Sequence, residues 1–188
     1  MGAFNEDYNK ETIVLGGGCF WFMEDLFKKI KGVVSSLPGY AGGDMENPFY
    51  EDVASGNTRH AEVVKVIYDT KIISLETILE IFFEAHDPTT KDRQGNDVGN
   101  QYRSIILYTS EEQKQKIKHF IEELENKNPF GKKIVTEVKP LKRFYDAESQ
   151  HRDYYENHPE KVYCQVVISP KLAKMKEKFS KQFKTGTF

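Results

Sequence analysis

Cys19 is the residue of this sequence whose surroundings best suit covalent chemistry. It follows three glycines, Gly16-Gly17-Gly18, and precedes Phe20 and Trp21. Ile13 to Leu15 is a short apolar run that predicts a strand stopping at those glycines. Phe20, Met23, Phe27 and Ile30 recur at helical spacing, which predicts a helix from Phe20 to Ile30. Cys19 then stands at a strand-turn-helix junction. Glycines open backbone conformations that other residues avoid, and they leave the sulfur uncovered. A thiol at a helix N-terminus faces the positive end of the helix dipole, which predicts a lowered pKa and more of the nucleophilic thiolate. Phe20 and Trp21 can wall the sulfur with apolar surface. The same residues also suit a small buried cysteine beside a glycine turn. A phosphate loop is a poor reading, because no Gly-Lys-Ser/Thr follows the glycines.

Glu62 is the second candidate. The run Glu62 to Tyr68 is rich in β-branched residues and predicts a strand on which Glu62 shares a face with Val64, Val66 and Tyr68. A carboxyl group among apolar neighbours has its charged form disfavoured, so its pKa rises toward the range a general acid needs. A strand-edge glutamate paired with a lysine is the plainer alternative. His60 and His86 are possible partners for the thiol and read as structural.

The elements that must position these residues alternate along the chain. Val33 to Leu37 reads as a strand and Pro38 to Tyr50 as a long loop. Leu75 to Ala85 reads as a helix with Ser74 as its N-cap. His86 to Gln101 is polar and irregular, and a long loop inside a compact chain is usually functional or disordered. Arg103 to Tyr108 is a strand. Ser110 and Gln113 fit a capping box opening a helix that runs to about Asn126. Val135 to Leu141 and Tyr163 to Ile168 read as strands, and Asp146 to Asn157 and Lys171 to Phe183 as helices. Interleaved strands and helices predict an α+β fold, an α/β two-layer sandwich whose mixed sheet has flanking helices and long irregular loops. The 188 residues suit a single catalytic domain, 1–188, with residues 1–11 as a flexible tail.

Composition narrows the function. A net charge of −2 gives no general attraction to nucleic acid or to an anionic membrane. No apolar run approaches the roughly 20 residues that span a bilayer. The first residues lack the basic and apolar regions of a signal peptide, so a cytoplasmic location is expected. Two cysteines, Cys19 and Cys164, are too few for a disulfide scaffold and lack zinc-site spacing.

Gly17-Gly18-Cys19-Phe20-Trp21 resembles the active-site signature of the peptide methionine sulfoxide reductase A family. Gly39-Tyr40-Ala41-Gly42-Gly43, His60-Ala61-Glu62-Val63-Val64 and Tyr68-Asp69 follow in the family's order. His86-Asp87-Pro88-Thr89, Arg93-Gln94-Gly95-Asn96-Asp97, Gln101-Tyr102-Arg103-Ser104 and Phe144-Tyr145-Asp146-Ala147-Glu148 continue it. The likeness runs from about Thr12 to Pro170.

The resemblance implies an enzyme that reduces the S epimer of methionine sulfoxide, free or in proteins, and so repairs oxidised proteins under oxidative stress. Cys19 would be the nucleophile and would end the reaction as a sulfenic acid. Glu62 would give the proton to the departing oxygen. Tyr50 and Tyr102 match positions that hydrogen-bond that oxygen, Asp97 a position near the cysteine, and Phe20 and Trp21 a pocket for the substrate methyl group. No metal or organic cofactor is implied.

The sequence departs from the family pattern at several places. Arg59 stands where Gly is common and Thr70 where Pro is usual; both should be tolerated at surface turns. Gln150 and Arg152 flank His151 where Tyr and Gln are typical, which bears on the pocket rim. Many members carry resolving cysteines in a Gly-rich tail, and Lys181 to Phe188 has none. The resemblance is therefore to the one-cysteine type, in which an external thiol, glutaredoxin with glutathione or thioredoxin, resolves the sulfenic acid. Cys164 reads mainly as a structural strand cysteine, with internal resolution of Cys19 as the alternative. A thiol peroxidase, a cysteine hydrolase and a binding module are the rival readings.

Overall fold

The computed structural model describes residues 9–186. In chain order, β1 (Lys10–Gly16), α1 (Phe20–Lys28) and β2 (Val33–Ala41) lead to a one-and-a-half-turn helix, α2 (Tyr50–Ala54). Next come β3 (Ala61–Asp69), α3 (Leu75–Ala85), a two-strand hairpin of β4 (Arg93–Gln94) and β5 (Asp97–Val98), and a 3₁₀ turn at Asn100–Tyr102. Then follow β6 (Ile105–Tyr108), α4 (Glu111–Lys127), β7 (Glu137–Pro140), β8 (Phe144–Asp146), a 3₁₀ turn at Ser149–His151, α5 (Tyr154–Asn157) and α6 (Ser169–Lys178).

Six strands form one mixed sheet in the order β7-β6-β1-β3-β2-β8, antiparallel throughout except for the parallel pair β6 and β7. The main core lies between one sheet face and the helices. There Ile13, Leu15, Val64, Val66 and Tyr68 meet Met23, Leu26, Phe27, Ile78 and Phe82. Val14, Ala41, Val63, Ile105 and Leu107 form a smaller cluster, packed with Leu141 and Phe144. The period of two along β3 sends Glu62 to the main-core side with Val64, Val66 and Tyr68, as the sequence pattern predicts. Ser74 caps α3 by accepting the Thr77 N–H at 3.1 Å. Ser110 likewise accepts the Gln113 N–H at 3.1 Å, but the Gln113 side chain accepts from Thr109 N–H, so only half of the expected capping box forms.

Four segments differ from the sequence reading. β1 begins at Lys10, inside the segment read as a tail, because Lys10 and Glu11 pair with Asp69 and Tyr68; residues 1–8 lie outside the described residues. Pro38 to Ala41 completes β2, and Tyr50 opens α2. Pro38 is tolerated because β8 pairs only with Gly39 to Ala41, so its missing N–H breaks no rung of that ladder. Tyr163 to Ile168 is helical, with a π-helical turn at Cys164–Ile168 that runs into α6. Burial there recurs at Cys164, Ile168 and Leu172 while Val162 and Val166 are exposed, a spacing of four that β-branched content disguised. Asp146 to Asn157 is no continuous helix: Asp146 ends β8, and Asp153 at φ +51° admits only the short α5. Among the described residues no helix is long and apolar enough to cross a membrane.

Candidate active site

Cys19 is the N-cap residue of α1, at the turn leaving β1. Gly18 holds φ +101°, and a Cβ there would come within 2.7 Å of Gln94 Cγ. Both facts demand glycine immediately before the cysteine. Glu62 sits opposite Tyr40 across the β2–β3 ladder, and its Oε2 accepts the Phe20 N–H at 3.1 Å. The acid is thus tied to the residue that follows the thiol.

Tyr50 is the first residue of α2, a helix whose start is fixed by the Phe49 N–H donating to Asp52 at 2.9 Å. Tyr102 closes the 3₁₀ turn after Gly99. That turn is pinned by Asn100 Nδ2 donating to Gly56 O at 2.9 Å and by Arg103 donating to Asn100 O and Arg59 O at 2.8 and 2.9 Å. Asp97 comes from the β4–β5 hairpin. Cys19, Phe20, Trp21, Tyr50, Glu62, Asp97 and Tyr102, all singled out in the sequence, line one cavity of about 220 Å³.

Tyr163 lines the same cavity and was missed. Its hydroxyl donates to Asp97 Oδ2 at 2.7 Å. His151 was noted only for its neighbours. Buried at 5% exposure, it accepts the Trp21 Nε1–H on Nδ1 at 3.1 Å, and its ring lies 4.7 Å from that of Tyr50. Tyr154 stacks on the indole, with centroids 3.6 Å apart and planes 7° from parallel. Trp21 is therefore a fixed wall. The signal for these residues was their aromatic density near His151, which a strand reading of Tyr163 and a helix reading of Asp146 to Asn157 hid.

The electrostatics favour protons. Burial, with some lowering by the Phe20 N–H and further raising by Asp97, pushes the Glu62 carboxyl up to about 8. Burial and then the Glu62 charge push the Cys19 thiol well above its ordinary value, against the lowering effect of the Trp21 N–H and the Tyr163 hydroxyl. The lowering expected from the helix end is therefore overturned: desolvation and a neighbouring carboxylate outweigh the dipole. The two groups are coupled, since a proton on Glu62 removes the charge that holds the thiol up. Burial also raises Tyr50 and Tyr102, keeping both phenols as neutral donors.

The histidines are engaged elsewhere. His60 Nδ1 accepts the Gly43 N–H at 3.0 Å and its Nε2 donates to Met45 O at 2.7 Å. His86 lies 2.6 Å from Phe82 O and 2.7 Å from Ser104 Oγ, and burial lowers it to about 4. Cys164 is fully buried in the main core, away from the cavity lining, and both cysteines are free thiols. Among the described residues no group of His, Cys, Asp and Glu side chains could hold a metal ion. The site thus offers a thiol, a carboxyl held protonated by burial, two phenolic donors and an aromatic wall in a small cavity.

Residues 11–183 match the family model for peptide methionine sulfoxide reductase. The chain is 54% identical over 174 residues, 93% of its length and 97% of the relative's, to the peptide methionine sulfoxide reductase MsrA of Saccharolobus solfataricus. It superposes on methionine sulfoxide reductase A of Corynebacterium diphtheriae with a TM-score of 0.79 at 36% identity, covering 86% of this chain and 81% of the other. Mxr1 from Saccharomyces cerevisiae is similar in its reduced form, with TM-score 0.77 and 35% identity over 85% of this chain and 91% of the other. In a complex with Trx2 it matches with TM-score 0.54 and 29% identity over 81% and 89%.

Proposed function

Because the chain belongs to the peptide methionine sulfoxide reductase family, we propose that it reduces the S epimer of methionine sulfoxide, free or in proteins, through a sulfenic acid on Cys19. The observation that carries the mechanism is the carboxyl of Glu62, held protonated near neutral pH by burial and tied to the turn of the nucleophile.

The substrate methyl group packs against Phe20 and Trp21, and the sulfoxide oxygen takes hydrogen bonds from Tyr50 and Tyr102. Such donors, fixed before the substrate arrives, stabilise charge developing on oxygen. The Cys19 thiolate attacks the substrate sulfur while Glu62 protonates the oxygen. The oxygen transfers to the Cys19 sulfur as the sulfur–sulfur bond breaks. Methionine leaves reduced by two electrons, and Cys19 is left as the sulfenic acid, the reversible first stage of thiol oxidation. Asp97 and Tyr163 hold each other and so orient the hydroxyl beside the thiol.

A thiol from outside the chain then restores Cys19. The burial of Cys164, the sequence's only other cysteine, supports an external reductant. The complex of the relative Mxr1 with Trx2 favours a thioredoxin in that role, and glutathione with glutaredoxin is the other candidate.

The test uses dithiothreitol with the separated S and R epimers of a methionine sulfoxide peptide, and Cys19→Ser alongside. Turnover of the S epimer alone, lost in the variant, is expected. Folded protein that turns over neither epimer overturns the reading.

A further inference from the structure

Glu24 is a buried acid with no part in the proton transfer. It lies on α1 and is 3% exposed. Trp21, Glu24 and Lys28 stand three and four residues apart, so they form one stripe along the helix. That stripe meets the chain from His151 to Glu156 at three places. The Trp21 Nε1–H donates to His151, and the indole stacks on the Tyr154 ring. The Asp153 N–H donates to both Glu24 oxygens at 3.1 Å. Lys28 Nζ pairs with Asp153 Oδ1 at 2.6 Å and with Glu156 Oε2 at 2.9 Å.

Asp153 is the point of leverage. Its φ of +51° is left-handed, a conformation that costs a non-glycine residue free energy and persists where its surroundings hold it. It precedes Tyr154, and its carbonyl accepts the Asn157 N–H at 2.9 Å, so this turn sets where α5 begins. The N–H at the head of a helix has no partner within that helix, and Glu24 supplies one. Burial raises the Glu24 carboxyl to about 7. The Asp153 N–H draws it down, the Asp153 and Asp25 charges raise it and Lys28 lowers it. The cost of burying the acid is offset by the backbone group it satisfies. Tyr154 does not line the Cys19 cavity, so it braces the indole without touching what the cavity holds.

We propose that Glu24 is a positioning residue: by holding the Asp153 turn it sets Tyr154 against Trp21, and so fixes the apolar wall that favours a methyl group over larger alkyl groups on the substrate sulfur. The inference rests on the reductase reading, in which that group packs against Phe20 and Trp21. Glu24 itself does not line the cavity and acts through Asp153 and Tyr154.

Trp21 is the only tryptophan in the sequence, so its fluorescence reports the wall itself. Glu24→Met removes the acceptor while keeping an unbranched side chain of similar length. Glu24→Gln keeps one acceptor oxygen. Two readouts are compared in folded protein, with dithiothreitol as reductant: acrylamide quenching of Trp21, and kcat/KM for the S-epimer sulfoxides of methionine and ethionine in one peptide. Glu24→Met should raise the quenching constant by about 2-fold or more. It should lower the methionine-to-ethionine ratio by about 5-fold, a fraction of what one methylene is worth in an apolar pocket. Glu24→Gln should keep both native values. If Glu24→Met does not fold, Glu24→Asp, which withdraws the carboxyl by one methylene, should move both readouts in the same direction. Quenching and ratio unmoved in whichever variant folds overturn the proposal. Equal losses on the two substrates, the mark of a merely structural role, overturn it as well. No turnover of either substrate by the native enzyme removes the reductase reading and the selectivity with it, while quenching still decides whether Glu24 holds the wall.

Discussion

The N–H of Phe20 donates to Glu62 Oε2 at 3.1 Å, so the acid of the site is bonded to the first residue of the helix that Cys19 caps. One consequence is that the oxygen left to donate a proton is the other one, since Oε2 is occupied as an acceptor. Another is that the placement of the acid and of the sulfur depends on the same turn.

Glu62→Gln should cut kcat with dithiothreitol by about 10² to 10⁴-fold, the usual worth of a general acid. The native pH profile should fall on the alkaline side near the carboxyl's value of about 8, and that limb should vanish in the variant. The sign for stability follows from the same shift. The folded state holds the Glu62 proton more tightly than the unfolded state, so its stabilising effect is complete below about pH 4.5 and is lost as pH rises through about 8. Glutamine carries no such loss. Above pH 8 the variant should therefore be more stable than the native enzyme, by about 2 kcal/mol, in urea unfolding. A variant less stable at pH 9 contradicts a buried, ionised Glu62.

Tyr50 and Tyr102 face the cavity from different elements, and burial keeps both neutral. Each Tyr→Phe change should lower kcat by about 10-fold and the double change by about 10² to 10³-fold, with KM nearly constant. Single-turnover formation of the Cys19 sulfenic acid, trapped with a sulfenic-acid reagent, separates this step from reductant-limited cycling. Wild-type rates in the double variant would remove both hydroxyls from the mechanism.

Cys19 and Glu62 were legible in compact local strings, glycines before the one and valines alternating with the other, whereas Tyr50, Tyr102 and Asp97 came only from the resemblance to the family's motifs. What escaped came from long-range packing. Tyr163 reaches Asp97 across 66 positions of sequence and His151 reaches Trp21 across 130. No local period reports either. The fold shows the same division. The alternation along β3 and the Ser74 cap gave those elements directly. The stretch around Cys164 was misread, because valines and isoleucine favour strands in general but here line a helical turn with two of them exposed.

Tyr163→Phe should test the part that was missed. The hydroxyl donates to Asp97 and helps hold the Cys19 thiol down. Its loss should raise the thiol pKa further and slow alkylation of Cys19 by iodoacetamide at pH 8 by about 3 to 10-fold. An unchanged alkylation profile would make the Tyr163 contact structural only.

Gly18→Ala places a Cβ within 2.7 Å of the Gln94 side chain at a φ of +101°. Gln94 is itself held by the Asp87 N–H and O at 3.0 and 2.9 Å, so it has little freedom to yield. Strain and displacement together should cost about 2 to 3 kcal/mol. Gly95→Ala is the comparison: φ is +58° there with nothing within 4 Å of the added Cβ, so only the backbone term of about 1 kcal/mol applies. Thermal unfolding of the pair separates crowding from conformation, and equal losses would remove the Gln94 contact from the account.

Arg59 occupies the opposite situation, a side chain where the backbone asks for none. Its φ is +57°, which explains why glycine suits this position. Its carbonyl accepts from Arg103 at 2.9 Å and so helps hold the Tyr102 turn, fixing the conformation from outside. Its side chain gives little in return, an exposed pair with Asp44 at 3.5 Å worth well under 1 kcal/mol. Arg59→Gly should relieve about 1 to 2 kcal/mol of left-handed strain and give back about 0.5 to 1 kcal/mol through the freer unfolded chain. The net is a gain of about 0.5 to 1 kcal/mol, read as a small rise in the midpoint of thermal unfolding. Arg59→Ala keeps the strain and loses the ion pair, so it should not gain. If alanine stabilises as much as glycine, the benefit comes from removing the arginine side chain rather than from relaxing the turn.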